Sequence, residues 1–163
     1  MINMRLAKTQ DAEKLGKLYY DCWMQLYPNI VAKDKFQAIT LENAINDFKK
    51  TKCRDIVEGW VGDELVGFCS FGNCRDDDCL NDTGEIYRLY ILPEYQKHGD
   101  GRRLVREAIR CLGREEYNQV VVWVLVDNVD AIRFYEALGF VSDGSERNAK
   151  DSPLIERRYF IHI

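Results

Sequence analysis

The chain has 163 residues, 46% of them hydrophobic and 31% charged, a balance typical of one globular domain with its own core. Its formal net charge of −4 argues against a nucleic-acid-binding protein, because such proteins usually carry a basic surface. The longest apolar run, residues 120–126, is too short to span a bilayer, and the N-terminus becomes polar too early for a secretory signal. We therefore expect one domain over residues 1–163, located in the cytoplasm, with no membrane or nucleic-acid partner.

The apolar periodicity predicts an alternation of strands and helices along the chain. In chain order we expect a strand over 2–7, a helix capped by Thr9, a broken helical stretch from about 34 to 50, and strands near 55–61 and 64–72. There follow a strand over 85–92, a helix from 101 to about 112, a strand over 119–126, a short helix from Asn128 to Leu138, and strands near 140–145 and 153–162. The class is α/β or α+β.

Three glycines mark the ends of predicted elements. Gly62, followed by Asp63, is typical of a two-residue hairpin turn. Gly113 is expected to cap the helix that begins near residue 101, and Gly139 to cap the short helix in a left-handed conformation with Phe140 packed behind it. Because strand 85–92, the helix and strand 119–126 form a βαβ unit, the two strands should be parallel.

Six cysteines raise the question of a metal site. Cys69, Cys74 and Cys79 recur every five residues, a spacing that does not match zinc-binding patterns, and the two histidines lie elsewhere in the sequence. We therefore expect free thiols in a reducing compartment and no bound metal.

The segment from Gln96 to Arg102 follows a strand and opens a helix. At such a place, unpaired backbone N–H groups and the positive end of the helix dipole favour a phosphate, and the glycines allow its close approach. A dinucleotide site is one interpretation, since Asp127 ends the next strand; however, Leu104 replaces the third glycine of that motif. A glycine turn that binds nothing is the other.

Two motifs extend this segment into a family resemblance. Residues 89–101, LYILPEYQKHGDG, resemble the acetyl-CoA motif of GCN5-related N-acetyltransferases (GNAT), [RQ]-x-x-G-x-[GA]. Residues 128–140, NVDAIRFYEALGF, resemble the N-x-x-A-x-x-F-Y-x-x-x-G-F segment of the same family. A weaker similarity to the entry helices of the family runs from Cys22 to Leu41. Asp100 departs from the family pattern, which is usually apolar there, and would carry its charge close to a pyrophosphate.

The resemblance implies a mixed, mostly antiparallel twisted sheet of about seven strands, with a splayed central parallel pair and about four flanking helices. It implies acetyl-CoA as co-substrate, with the backbone of Leu89 and Ile91 bonding pantetheine, one N–H near them stabilising the oxyanion, and Asn128 reaching the pantetheine arm. The pyrophosphate site would consist of the residues Gln96, Lys97, His98, Gly99, Asp100, Gly101 and Arg102. Asn128 has an alternative role as a helix cap.

Two residues are candidates for acid–base chemistry. Glu85 could accept the proton of the attacking amine, directly or through water, or it could be an exposed carboxylate at a strand end. Tyr135, which matches the family's tyrosine, could protonate the departing thiolate, or it could pack in the core beside Ala131 and Leu138.

The sequence leaves the acceptor open between the amine of a small molecule and that of a peptide. Asp76, Asp77, Asp78 and Asp82 could attract a cationic, polyamine-like acceptor, or they could form a solvated loop. A non-catalytic acetyl-CoA-binding regulatory module and a nicotinamide-dependent oxidoreductase are the alternative functions. A homodimer is compatible with the sequence, which does not determine the oligomeric state.

Overall fold

The computed structural model describes residues 2–26, 39–150 and 152–163. The strands are β1 (Asn3–Leu6), β2 (Ile56–Val61), β3 (Glu64–Asn73), β4 (Thr83–Ile91), β5 (Gln119–Leu125), β6 (Val141–Asn148) and β7 (Ile155–His162). The α-helices are α1 (Ala12–Leu26), α2 (Leu41–Lys50), α3 (Asp100–Arg114) and α4 (Val129–Glu136). The first part of the predicted stretch 34–50, up to residue 38, lies outside the described residues.

The seven strands form one mixed sheet in the order β1-β2-β3-β4-β5-β7-β6. The β4–β5 pair is parallel and is registered over four residues, from Thr83–Gln119 to Ile86–Val122, whereas β4 itself continues to Ile91. The fold class expected from the sequence, with a splayed central parallel pair, is therefore confirmed. No helix in the described part of the chain is both long enough and apolar enough to cross a membrane.

The residues group into two compact units, Met1–Ser70 with Arg88–Glu107 and Phe71–Tyr87 with Ala108–Ile163. In the first unit, β1 and β2 pair antiparallel, as do β2 and β3. Helices α1 and α2 approach so closely that a Cβ on Gly16 would lie 2.5 Å from the Cα of Ile45. The core of this unit consists mainly of Leu15, Leu18, Cys22, Phe48, Ile56, Leu65 and Phe68. Leu15, Leu18 and Cys22 thus form the buried face of α1.

In the second unit, β7 lies between β5 and β6 and pairs antiparallel with both. Strand β5 is buried at Val120, Val121 and Val122, as expected for a central strand that is apolar on both faces. After α4, Gly139 has a φ of 99° and the N–H of Phe140 donates to the carbonyl of Tyr135, the bond that a left-handed helix cap makes. This predicted cap is confirmed.

Two predicted caps are wrong. Gly113 does not end the long helix: α3 continues through it to Arg114, and the residue with a positive φ is Glu116, at 68°. Thr9 does not cap α1 either. The chain makes a short 3₁₀ helix over Thr9–Asp11, and the carboxylate of Asp11 accepts the N–H of Lys8 at 2.8 Å. The side-chain bond in this turn therefore runs from Asp11 back to the N–H of Lys8, and not from Thr9 forward to the first turn of α1.

A buried charge cluster joins β1, β2 and the entry to α1. The Glu58 side chain is fully buried, and its Oε2 lies 2.8 Å from Arg5 and 2.9 Å from the indole nitrogen of Trp60. Its Oε1 is buried with no hydrogen-bond partner among the described residues. Burial raises the pKa of Glu58 to about 7, against the opposing effects of Trp60 and Arg5. Between about pH 4.5 and 7, Glu58 is therefore mostly protonated in the folded protein and mostly ionised in the unfolded chain.

We expect stability to fall between pH 4.5 and 7 because of Glu58. Its pKa is raised on folding, so the folded state binds more protons in this window and the free energy of unfolding decreases as pH rises through it. The loss is on the order of 3 kcal/mol. Glu58→Gln should remove this decline in urea titrations from pH 5 to 8, whereas Glu115→Gln, at an exposed position, should keep it. Parallel pH curves for wild type and Glu58→Gln would contradict this assignment.

Candidate active site

The loop between β4 and α3 has a backbone suited to an anion. Lys97 and Gly99 have positive φ values of 64° and 85°, so left-handed residues alternate with His98 just before a 15-residue helix. Such an alternation can turn successive N–H groups toward one point, next to the positive end of the helix dipole. The side chains of Lys97, His98 and Arg102 are exposed, and two of them bring positive charge to the loop.

Gly99 leaves this backbone open. A Cβ built on Gly99 would have no heavy atom within 4 Å among its surroundings. The position therefore favours glycine because of its positive φ and not because a side chain would clash. Gly101 lies in the first turn of α3 and is half-buried. An open backbone, a helix N-terminus and nearby cations fit the pyrophosphate of a coenzyme A ester.

Asp100 does not bring an unbalanced charge to the loop. The residue is buried, and its Oδ1 lies 2.9 Å from Arg103, whose guanidinium also donates to the carbonyl of Ile2 at 3.1 Å. The carboxylate therefore links the start of α3 to the N-terminal segment. This pairing explains how a charged residue is accommodated where the family usually has an apolar one.

Leu89 and Ile91, the residues expected to bond pantetheine, lie in β4 beyond the last registered pair with β5. The side-chain amide of Gln96 donates to the carbonyl of Ile91 at 2.9 Å. This bond links the loop to the end of the strand, and it leaves one lone pair of that carbonyl for another donor. The structure thus brings the predicted segment 96–102 together with Ile91 in the first unit.

Glu85 lies in the second unit and is 1% exposed, so the interpretation as an exposed strand-end carboxylate is wrong. Arg75 binds both of its oxygens: Nη2 lies 2.6 Å from Oε1, and Nε lies 3.0 Å from Oε2. The backbone N–H of Arg75 also donates to Oε2 at 3.0 Å. The Arg75 side chain itself is 59% exposed. The two side chains therefore form a charge-assisted pair that engages both carboxylate oxygens.

Asn128 and Tyr135 also belong to the second unit. Asn128 Oδ1 accepts the N–H of Ala131 at 3.1 Å, so its role as the cap of α4 is confirmed, and its amide nitrogen is left to donate elsewhere. Tyr135 is 6% exposed and packs edge-on against Phe134 and Phe140, with ring centroids 5.1 and 5.4 Å apart. Its ring is therefore fixed by packing.

The acidic loop before β4 is held by arginines of β6 and β7. Asp76 accepts from Arg147 at 2.9 Å and from Arg158 at 3.1 Å, and Asp78 pairs with Arg158 at 2.6 Å. Arg158 is buried, and its bond to Asp78 is the chief reason that its pKa is raised. Two carboxylates of the charge run, Asp76 and Asp78, therefore bind strands of their own unit, which leaves the loop less charge for a cation.

Three of the candidate metal ligands lie together in this loop. One ligand atom each from Cys74, Asp76 and Cys79 falls within 4.8 Å of the others, and all six cysteines of the chain are free thiols. Burial raises the pKa of both Cys74 and Cys79, which keeps their sulfurs protonated. Because Asp76 already binds two arginines, the cluster is poorly suited to a cation.

We expect native protein to contain no stoichiometric zinc. Metal analysis by mass spectrometry after purification without chelators should find well under one zinc per chain, and replacing Cys74 and Cys79 by serine should change acetyl-CoA turnover by no more than a few-fold. About one zinc per chain that disappears in the serine variant would show instead that the cluster is a metal site.

The sequence interpretation missed the arginines of the site. Arg75, Arg103 and Arg158 neutralise Glu85, Asp100 and the acidic loop, but only Arg103 lies within one helical turn of its partner, at i+3. That spacing was a usable signal. Arg75 and Glu85 are 10 positions apart and Arg158 and Asp78 are 80 positions apart, so no local sequence pattern predicts these two pairs.

Comparisons with known proteins agree with this geometry. The model of the acetyltransferase (GNAT) family matches residues 13–140. The uncharacterized N-acetyltransferase YuaI of Bacillus subtilis is 29% identical over 153 residues, which are 93% of this chain and 84% of that protein.

Two solved structures share the fold. PaiA N-acetyltransferase from Thermoplasma acidophilum, solved with coenzyme A, superposes with a TM-score of 0.74 at 20% identity, covering 97% of this chain and 98% of that one. YncA from Salmonella typhimurium, solved with acetyl-CoA, superposes with a TM-score of 0.74 at 19% identity, covering 99% of this chain and 94% of that one. With the family model matched over most of its length, the chain belongs to the acetyltransferase (GNAT) family and is an acyltransferase of that family.

Proposed function

We propose that this protein is an N-acetyltransferase that moves the acetyl group of acetyl-CoA to the amine of a small molecule or peptide by direct attack. The observation that carries the proposal is the loop 96–102, whose left-handed Lys97 and Gly99 precede the N-terminus of α3. When bound, acetyl-CoA supplies the thioester carbonyl that the amine attacks. The match of residues 13–140 to the family model supports the same assignment.

In this proposal the loop holds the pyrophosphate. Backbone N–H groups around Gly99 and at the start of α3 donate to it, and Lys97 and Arg102 add positive charge. The backbone of Leu89 and Ile91 binds the amides of the pantetheine arm, and one N–H near them faces the developing oxyanion. The Asn128 amide nitrogen, which its capping bond leaves available, donates to the same arm.

Two side chains handle protons. Glu85 takes the proton of the amine through water, which can donate to the lone pair of Oε1 that Arg75 leaves available. The hydroxyl of Tyr135 gives a proton to the departing sulfur, and the packing of its ring against Phe134 and Phe140 fixes the direction of that hydroxyl. The leaving thiolate is the conjugate base of a thiol with a pKa of about 8.5, so near neutral pH a proton donor converts it to the neutral thiol.

A panel of amines tests the function. Release of free thiol from acetyl-CoA should depend on both enzyme and amine, and mass spectrometry should find the acetylated amine. A polyamine belongs in the panel, although the pairing of Asp76 and Asp78 with arginines leaves the loop less charge to attract it. Binding of acetyl-CoA without turnover on amines and peptides would favour the alternative, a non-catalytic regulatory module.

Variants of the Arg75–Glu85 pair should separate catalysis from structure. If Glu85 is the base, Glu85→Gln loses on the order of 10²-fold in kcat, whereas Arg75→Gln, which keeps the carboxylate, keeps most of the turnover. Equal losses of thermal stability in the two variants, with kcat kept in both, would show that the pair is only structural.

A further inference from the structure

Arg88 is a cation without a counter-ion in the part of the chain that the structure describes. It lies in β4 and is half-buried, and its guanidinium carbon is 5.0 Å from the ring centre of Tyr19 and 5.4 Å from that of Phe48. No carboxylate of residues 2–26, 39–150 or 152–163 forms an ion pair or hydrogen bond with it. Asp47 is the neighbour of Phe48 in α2, yet it does not pair with Arg88 either.

The aromatic rings stabilise this charge but do not satisfy it. A cation–π contact attracts the charge, but a ring face offers no lone pair to the five N–H donors of a guanidinium. Arg88 is half-buried, so part of its side chain remains open to solvent. A planar fork of donors, backed by rings and open on one side, suits a carboxylate that binds with both oxygens.

The position of Arg88 relates it to the reaction. It directly precedes Leu89, whose backbone is proposed to bond pantetheine, and consecutive Cα atoms lie about 3.8 Å apart. Arg88 comes two residues after Ile86, the last residue of β4 that is paired in register with β5. The pyrophosphate loop begins only at Gln96, eight positions later, so the phosphates are already provided with their own donors and cations.

We infer that Arg88 binds a carboxylate of the acceptor, and that the acceptor is therefore an amino-acid-type molecule that carries its carboxylate close to the amine it presents. The inference rests on the proposed N-acetyltransferase function and names its substrate class. The rings of Tyr19 and Phe48 hold the guanidinium in place, and its charge offsets the negative charge of the acceptor. A simple amine that lacks the carboxylate forgoes this contact and binds more weakly.

Pairs of amino acids and their decarboxylated amines test the inference, because the members of each pair differ by the carboxylate alone. We would measure kcat and KM for lysine and cadaverine, tyrosine and tyramine, and tryptophan and tryptamine. Wild type should favour the amino acid in at least one pair by tenfold or more in kcat/KM. Arg88→Gln should abolish that preference through KM, Arg88→Lys should restore part of it, and Arg54→Gln, at a 71% exposed position, should leave it unchanged.

Each outcome bears on the inference. A wild-type preference for the decarboxylated amine, or a preference for the amino acid that survives in Arg88→Gln, overturns it while the acetyltransferase function stands. If no pair is turned over, the melting temperature is measured in saturating coenzyme A with each of the three amino acids. An increase that is lost in Arg88→Gln supports the inference. No increase with any of the three overturns it. Failure of the function itself differs from both, since no amine or peptide of any kind would then be acetylated.

Discussion

Gly99→Glu is expected to weaken acetyl-CoA binding by ~100-fold or more. The substitution places a side chain and a negative charge on the open backbone where the pyrophosphate is proposed to bind, and a like charge next to a ligand costs several kcal/mol. The folded structure has room for the side chain, because nothing lies within 4 Å of the position of its Cβ. Isothermal titration calorimetry with acetyl-CoA measures the loss.

Gly144→Glu is a matched control. Gly144 has a φ of 83°, close to the 85° of Gly99, and its Cβ would also meet nothing within 4 Å. Both variants therefore carry the same backbone strain, but Gly144 lies in β6, for which no role in cofactor binding is proposed. The control should lose similar stability and keep its affinity for acetyl-CoA. If folded Gly99→Glu binds acetyl-CoA as wild type does, the cofactor site lies elsewhere.

Tyr135→Phe is expected to lower kcat by ~10²–10⁴-fold, the usual contribution of a general acid. Phenylalanine keeps the edge-on contacts with Phe134 and Phe140 and removes only the proton donor. Acetyl-CoA affinity and thermal stability should therefore stay near wild type. Steady-state kinetics across pH should also show a flattened high-pH limb, because the group that must stay protonated there has been removed.

Tyr117→Phe controls for the loss of a hydroxyl alone. Tyr117 lies in the turn before β5, and its hydroxyl donates a hydrogen bond to the side chain of Asn73 at the end of β3. No catalytic role is proposed for either residue. This variant should keep kcat. If Tyr135→Phe keeps kcat as well and loses only about 1 kcal/mol of stability, Tyr135 is a core residue and the thiolate takes its proton from water or from the substrate's ammonium.

Local chemistry made much of the fold readable. Gly139 and Phe140 predicted the end of α4 because a left-handed cap needs a residue type that tolerates positive φ. The same reasoning failed at Gly113, because Glu116 adopts the left-handed conformation and the N–H of Tyr117 closes the cap on the carbonyl of Leu112. Glycine permits a left-handed cap, but it does not by itself fix where the cap occurs.

The sequence predicted those parts of the candidate site that are formed by the backbone, but not the contacts of its side chains. The loop from Gln96 to Gly99 follows from strand–helix geometry, and its position in the sequence was enough to find it. The state of Glu85 was not readable, because its burial and its bond to Arg75 depend on how a loop returns to its strand. Arg88 gave no signal for the same reason: whether a cation has a partner is a property of the assembled structure.

The order of strands in the second unit has a consequence for synthesis on the ribosome. Strand β6 pairs only with β7 in its registered ladder, and β7 separates it from β5. Residues 155–162 are translated after β5, α4 and β6, so the backbone edge of β5 that pairs with β7 stays open until they leave the exit tunnel. A nascent chain stalled before residue 155 would present an open, apolar strand edge to chaperones and to other nascent chains.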